Sequence, residues 1–291
     1  ITFLDGVINV LKPPGMTSHD VVSRLRKILK TKKIGHTGTL DPDAVGVLPI
    51  CVGKATRLVE YLTGTKKTYR ALLCFGAETD TQDASGQVVK RTELPNLSGE
   101  EFAQVLRSFL GKNFQIPPMF SAIKKNGKPL YLLARQGVEV ARKPREIEIH
   151  NIELLAYDSS QALIEVTCSK GTYIRTLCQD IGRKVESGAY LGFLIRTQSG
   201  NFHINDSFCL EEIKSLKTET FLISPAQAID FPELYFTKDL LFAIGNGNKV
   251  PSPFQEKTET DEKYKVLDEQ GNLLAIGKIE KGYFQPEKVF R

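Results

Sequence analysis

The chain has 291 residues, with 39 Lys and Arg against 34 Asp and Glu, a formal net charge of +5 and a pI near 8.8. Hydrophobic residues make up 41% and charged residues 25%, an ordinary globular balance that excludes a disordered chain and leaves ample material for a core. No apolar run approaches the ~18 residues of a membrane span, no segment reads as a signal peptide, and at about 150 residues per domain the length predicts two domains or one with an appendage.

Val7–Leu11 predicts a short buried strand stopped by Pro13-Pro14-Gly15. Thr17-x-x-Asp20 has the form of a capping box. After it Val21, Val22, Leu25, Ile28 and Leu29 recur at helical spacing and leave Arg24, Arg26, Lys27 and Lys30 on the polar face. A loop from Ile34 to Pro49 precedes a short helix over Ala55–Leu62 and an apolar strand over Tyr69–Gly76. Thr79–Gly86 is a polar, turn-rich loop, with Gln87–Arg91 as its returning strand. Ser98-x-x-Glu101 opens a second helix carrying Phe102, Val105, Leu106, Phe109 and Leu110, with Gly111 as its stop.

Residues 116–146 begin with Pro117-Pro118 and contain Gly127, Pro129, Gly137 and Pro144, which predicts an insertion or mobile loop. Strands are expected over about Glu146–Ala156 and Ala162–Cys168, and a helix over Tyr173–Glu186 with Ile174, Leu177, Ile181 and Val185 in register. A β-rich stretch follows over Leu194–Ile204. Asp230-Phe231-Pro232 marks a boundary. Beyond it lie short strands, Glu233–Thr237, Lys263–Asp268 and Leu273–Ile279, with Gln270-Gly271-Asn272 as a hairpin turn. The expected fold is α/β of the α+β kind: residues 1–230 on a mixed, largely antiparallel sheet, with 116–146 as a basic insertion, then a small β-rich domain over 231–291.

The net charge is uneven. Residues 12–40 hold seven basic side chains against one acid, a net +6, and residues 116–146 hold seven against two, a net +5, so the remainder is −6. Two basic segments on an acidic body suit either a phosphate-backbone footprint or two solvated faces. The five cysteines, Cys51, Cys74, Cys168, Cys178 and Cys209, are odd in number and lack C-x-x-C spacing, and the four histidines form no H-x-x-x-H pair. No metal site or disulfide framework is expected, and a reducing cytoplasm is the simpler setting. The start at Ile1 leaves room for a missing initiator Met or a short leader.

The densest chemical stretch is Gly35-His36-Thr37-Gly38-Thr39-Leu40-Asp41-Pro42. Its glycines allow sharp turns and close approach to a ligand, and Pro42 biases Asp41 toward an extended backbone. Such a carboxylate suits a nucleophile, a base or a metal ligand, and an Asp-Pro loop is equally a plain turn. A phosphate loop is excluded, because Gly53-Lys54 is followed by Ala55 rather than Ser or Thr.

The run GHTGTLDPDAVGVLPICVGKATR, residues 35–57, resembles the signature of the bacterial TruB family, the tRNA pseudouridine synthases that modify the T-loop uridine at position 55. INVLKPPGMTSHDVV at 8–22 is similar to the family's first motif, KKTYRALLCFGAETDTQDASG at 66–86 to its second block, and SKGTYIRTLCQDIG at 169–182 to its arginine-bearing helix. The four blocks stand in the family's order over roughly residues 7–205. The tail over 231–291 resembles a small PUA-type RNA-binding domain, although its charge of nine basic against ten acidic residues is unusual for a module that grips RNA by charge.

The resemblance implies a pseudouridine synthase fold and an isomerase that needs no cofactor and no metal. It casts Asp41 as the catalytic nucleophile and Arg175 as the arginine that pairs with it. Tyr69 becomes the tyrosine that stacks on the target base and takes a proton from C5. Tyr173 and Leu194 line the uracil pocket, His36 contacts RNA where the base is extruded, and Asp83 lies in the matching polar loop. Lys32, Lys33, Lys124, Lys125 and Lys128 are expected on the RNA backbone, with 116–146 closing over the T arm. The implied partner is tRNA through its T arm and T loop, with no membrane, for a cytoplasmic monomer. Two other readings stay open: a tRNA-folding chaperone with secondary catalysis, and an RNA-guided pseudouridylase within a ribonucleoprotein.

Overall fold

The structure is a computed structural model that describes residues 4–125, 127–254 and 261–290, with Lys125 described through its backbone alone. Strand β1 (Gly6–Lys12) is buried along nearly its whole length. The expected capping box opens α1 (Ser18–Ile28): Asp20 N donates to Thr17 Oγ1 at 3.0 Å, and Thr17 N donates to Asp20 Oδ2 at 2.9 Å. Strands β2 (Ile34–His36) and β3 (Val45–Val52) flank the Asp41 loop. The helix expected over 55–62 is two pieces, a 3-10 turn at Gly53–Leu58 and α2 (Val59–Thr63). In β4 (Lys67–Phe75) burial alternates with a period of two, and β5 (Ala77–Thr79) and β6 (Val88–Arg91) pair across the polar loop.

The second capping box opens α3 (Gly99–Arg107). This helix stops earlier than its apolar stripe suggests, because Ser108 Oγ donates to the Val105 carbonyl at 2.6 Å and caps the last turn. Gly111, at φ +84°, instead begins β7 (Gly111–Gln115). Residues 116–146 are not structureless. They hold a hairpin of β8 (Lys124–Lys125) and β9 (Lys128–Pro129), and a helix α4 (Leu130–Arg135) anchored by buried Leu130. A long hairpin of β10 (Arg145–Asp158) and β11 (Gln161–Cys168) leads to α5 (Ile174–Lys184), then β12 (Ala189–Ser199) and β13 (Phe202–His203). Short elements close this body: α6 (Leu210–Ser215), α7 (Thr218–Phe221), β14 (Leu222–Ile223) and α8 (Pro225–Ala228).

The first sheet runs β14-β1-β3-β12-β4-β11-β10-β7, with β2 on β3 and β13 on β12. Within it the β3–β12 pair is parallel and the other described pairs are antiparallel, the mixed, largely antiparallel sheet that the sequence predicts. α3 and α5 cover one face, where Tyr69, Leu73, Phe102, Val166, Leu177 and Leu194 share a core. α1 covers β1 and β3 through Val21, Val22 and Leu25.

The chain then forms a second sheet from β15 (Glu233–Leu234), β16 (Val250–Pro251), β17 (Tyr264–Leu267), β18 (Leu273–Glu280) and β19 (Tyr283–Val289), ordered β15-β17-β18-β19-β16, with α9 (Lys238–Gly245) packed on it. α9 and β19 were not expected from the sequence. The turn at Asp230 is not a loose linker: Leu273, Ile276 and Phe290 join Val7, Leu58 and Phe202 in one buried cluster.

Candidate active site

Asp41 sits in the loop between β2 and β3, and the loop is pinned on both sides of it. Before it, Leu40 N donates to Ser18 Oγ at 2.9 Å, at the head of α1. After it, the Pro42 carbonyl accepts from Gly15 N at 2.9 Å and from Lys12 Nζ at 2.9 Å. The block at 8–22 therefore works as a clamp on the 35–57 loop. Lys12 is wholly buried, and its amine also donates to the Pro13 carbonyl at 2.8 Å and the Met16 carbonyl at 2.5 Å. This corrects its place in the basic footprint, since a buried ammonium spent on backbone carbonyls cannot reach a phosphate. Burial pulls the Lys12 amine down to about 8, against the pull of Asp43 and Asp41.

Arg175, in the first turn of α5, reaches the carboxylate: Nε lies 2.9 Å from Asp41 Oδ2. Its Nη1 donates to the Thr81 carbonyl at 3.3 Å and its Nη2 to the Phe120 carbonyl at 2.9 Å, while Asp83 Oδ2 stands 3.8 Å from Nε. One guanidinium thus joins the Asp41 loop, the polar loop after β5 and the start of the 116–146 segment. Arg175 is 6% exposed, whereas the Asp41 side chain is 45% exposed, so the cation is fixed and the carboxylate is open to a ligand. Asp83 is held in a local turn by Thr81 Oγ1 and Ser85 Oγ, both at 2.6 Å.

Tyr69 lies on central strand β4, buried in the same core cluster as Leu40 and Leu194. Burial pushes its phenol up from the ordinary value, and Arg196 opposes that. Tyr173 caps α5 and is fixed through its backbone: its N–H donates to Gln115 Oε1 at 2.9 Å, and its carbonyl accepts from Gln115 Nε2 at 3.1 Å. The Asp41 charge bears on the phenols of both tyrosines. His36 ends β2, and Gly38 N donates to its Nδ1 at 3.4 Å, so its proton sits on Nε2. Burial and the nearby Arg196 lower His36 below its ordinary value, leaving the ring neutral at pH 7.

The basic residues are placed less uniformly. Lys32 and Lys33 are exposed in the turn before β2, and Lys124 and Lys128 are exposed on the β8–β9 hairpin; the side chain of Lys125 lies outside the described residues. The flank of the hairpin meets the centre where the Phe120 carbonyl accepts from Arg175. The motif reading passed over Lys67 and Arg196 and took Lys12 for surface charge. Lys67 Nζ donates to the carbonyls of Thr63 at 2.7 Å and Thr65 at 2.6 Å. Among the described residues no cluster of three or more His, Cys, Asp or Glu could hold a metal, and no helix is long and apolar enough to cross a membrane.

The comparisons with known proteins agree with one another. The TruB family pseudouridylate synthase N-terminal domain matches residues 26–174, and the tRNA pseudouridylate synthase B C-terminal domain matches residues 175–224. The junction falls inside α5, so both parts contribute to one sheet. The chain is 45% identical to tRNA pseudouridine synthase B of Heliobacterium modesticaldum over 99% of this chain and 96% of that protein. It is 44% identical to the protein of the same name from Caldanaerobacter subterraneus subsp. tengcongensis over 99% of each. Among solved structures, a chain in the crystal structure of a Cbf5-Nop10-Gar1 complex superposes with a TM-score of 0.76 at 28% identity, covering 98% of this chain and 85% of that one.

Proposed function

The chain belongs to the TruB family of pseudouridylate synthases, and on that footing we propose that it isomerises the T-loop uridine at position 55 of tRNA, with Asp41 as the catalytic nucleophile. The family makes it an enzyme, an isomerase. The reaction breaks the N1–C1′ bond of uridine, turns the uracil and joins C5 to C1′. The C5 proton leaves and N1 gains one, so the balance closes without a donor or an electron carrier.

The observation that carries this reading is the Arg175–Asp41 pair, with one carboxylate oxygen held at 2.9 Å and the side chain nearly half open. A planar guanidinium orients that oxygen and leaves the other free for the substrate. Loop anchors at Leu40 and Pro42 limit how far Asp41 can drift, which supports a nucleophile that must meet its target within a narrow angle. Tyr69 supplies a π face for the uracil and, once ionised, a phenolic oxygen that accepts the C5 proton, with Leu194 and Tyr173 as pocket walls. Neutral His36, with its proton on Nε2, serves as a donor to the RNA where the base leaves the stack.

Extrusion of the uridine costs about a few kcal/mol, offset by contacts to the flipped base and the backbone. Lys32, Lys33, Lys124, Lys125 and Lys128 are assigned to the phosphates, and residues 116–146 to the arm that closes over the T stem. Residues 231–291 are assigned as the PUA-like module, in keeping with their separate sheet. The name shared by the relatives supports tRNA as the substrate.

The test is tritium release from a T-arm stem-loop carrying 5-tritiated uridine, with the purified chain and no guide RNA. The native protein releases tritium and Asp41→Asn does not, while both bind the stem-loop. Turnover by Asp41→Asn would remove Asp41 as nucleophile. Turnover that requires a guide would favour the ribonucleoprotein reading, which the likeness to a Cbf5 complex makes worth testing.

A further inference from the structure

Arg196, on β12, is among the largest fully buried side chains of the molecule at 1% exposure, and none of the described ion pairs gives it a carboxylate partner. Taking a guanidinium out of water without a counter-charge is costly, and an apolar side chain of similar volume generally serves a core better. Its retention there calls for a role other than stability. Its contacts suggest which one. Nε donates to the Val47 carbonyl at 2.7 Å, at the start of β3, and Nη2 donates to the Gly38 carbonyl at 3.1 Å, in the Asp41 loop. Across the sheet Arg196 is the register partner of Tyr69, and its positive charge bears on the phenol.

The backbone is fitted to this arrangement. Gly46, at φ +119°, pairs with Arg196 on the other side, where a Cβ would lie 2.2 Å from the Arg196 carbonyl oxygen. Gly38, at φ +152°, lies directly over the guanidinium, where a Cβ would stand 3.7 Å from Nη1. A guanidinium donates N–H bonds and accepts none, so toward Arg196 the phenol oxygen of Tyr69 can act only as an acceptor.

We propose that Arg196 is a positioning residue of the active site: its buried guanidinium ties the Gly38 carbonyl of the Asp41 loop to the Val47 carbonyl of β3 and stands across the sheet from Tyr69, fixing the spacing of loop and tyrosine and setting a fixed positive charge beside the phenol. This rests on the reading of Tyr69 as a pocket residue. The groups that act on the phenol are Arg196, the Cys168 thiol on β11 and Asp41; Lys67 is the next cation behind Arg196. Burial holds the Cys168 thiol up at about 11, so it is neutral at working pH, and Arg196 is the principal positive charge facing the phenol. A positive charge there favours the ionised phenol, whose oxygen accepts the C5 proton and so returns to the neutral O–H.

The experiment uses the full chain with Arg196→Gln, which removes the charge, and Arg196→Lys, which keeps charge but loses the fork. Three quantities are read: the single-turnover rate of tritium release, stem-loop affinity, and the titration midpoint of Tyr69 by NMR of ζ-carbon-13 tyrosine, assigned with Tyr69→Phe. The expected result for Arg196→Gln is a rate at least tenfold lower, affinity within twofold, and a Tyr69 midpoint raised by one pH unit or more. Arg196→Lys falls between Arg196→Gln and the native protein, and carries the test if Arg196→Gln does not fold. An unmoved Tyr69 midpoint, or an unmoved rate, overturns the proposal. Failure of the native chain to release tritium would count against the proposed reaction instead, and the NMR readout would still decide whether Arg196 governs Tyr69.

Discussion

Arg175 Nε and Asp41 Oδ2 stand 2.9 Å apart although one residue opens a helix and the other lies in a loop far upstream in the chain. The same guanidinium holds the Thr81 and Phe120 carbonyls, so a single side chain couples the Asp41 carboxylate to two neighbouring loops. Arg175→Lys keeps the charge but cannot make all three contacts in one plane. Removal of one oriented electrostatic partner typically slows a reaction by ~100-fold or more. Arg175→Lys is therefore expected to lose about that much in single-turnover rate while binding stem-loop RNA normally. Arg175→Met is expected to lose more, and about 1–3 kcal/mol of stability, because it leaves two part-buried carbonyls unpaired. Urea unfolding and tritium release measure the two effects; a rate within threefold of native for Arg175→Met would dissociate this pair from catalysis.

Lys12 gives an expectation with two opposite signs. Its amine is lowered from 10.5 to about 8, by burial first. Below about pH 8 the folded and unfolded chains both carry the charge, and the burial penalty is fully present. As pH rises from 8 toward 10.5 the folded chain sheds the proton first, the unfolded chain holds more protons, and this residue's contribution to stability rises. Activity should move the other way. An ammonium has three N–H donors for the three carbonyls of Pro13, Met16 and Pro42, whereas a neutral amine has two. The loop behind Asp41 loosens, and the single-turnover rate falls with a midpoint near 8. Lys67, also lowered to about 8, makes two bonds and can keep both when neutral. The alkaline fall should therefore survive in Lys67→Met and disappear in Lys12→Met, which starts from a lower plateau. The reverse pattern would assign the fall to Lys67.

The local parts of this fold were legible because their causes are local. Thr17 with Asp20, and Ser98 with Glu101, satisfy one another within a single helical turn, so the spacing alone reveals them. Burial with a period of two in β4 is likewise written in the residues. Asp41 and Arg175 became visible through four ordered motifs, since nothing in either residue's neighbours says that they meet. Lys12 and Arg196 were not legible for one physical reason. A cation reads as surface until the strand that carries it is known to be central, and β1 and β12 become central only through long-range pairing. A faint signal existed for Arg196: alternation along β12 puts it on the same buried face as Leu194.

Buried and exposed cations also separate in their response to salt. Lys124 and Lys128 project from the hairpin, and each phosphate contact contributes about 0.7–0.9 to the slope of log affinity against log salt. Replacing both with Ala is expected to lower the slope by about 1.5 and weaken binding most at low salt. Lys12→Met removes the same kind of charge from within the fold and should leave the slope unchanged. Filter binding at three or more salt concentrations distinguishes the two. An unchanged slope in the double variant would take the hairpin off the RNA.

The second sheet is built into the catalytic body, which sets what its removal does. Phe290, Leu273 and Ile276 lie in one cluster with Val7 of β1 and Phe202 of β13, and Tyr61 meets Phe231 edge to face at 5.5 Å between ring centroids. Lys265 Nζ reaches back to the carbonyls of Ala226 at 3.0 Å and Ile229 at 3.3 Å. Phe290→Ala is expected to cost about 3 kcal/mol, which for a protein of this size lowers the melting temperature by about 6–12 °C. Deleting 231–291 should lower it further, because the apolar faces of the 3-10 turn and of β1 lose their cover. A drop in tRNA binding by that truncated chain would therefore mix unfolding with lost contacts. Phe290→Ala, assayed well below its melting temperature, separates them: unchanged affinity with a lowered melting temperature marks the sheet as a stabilising layer. An affinity loss at full folding would mark it as part of the RNA surface.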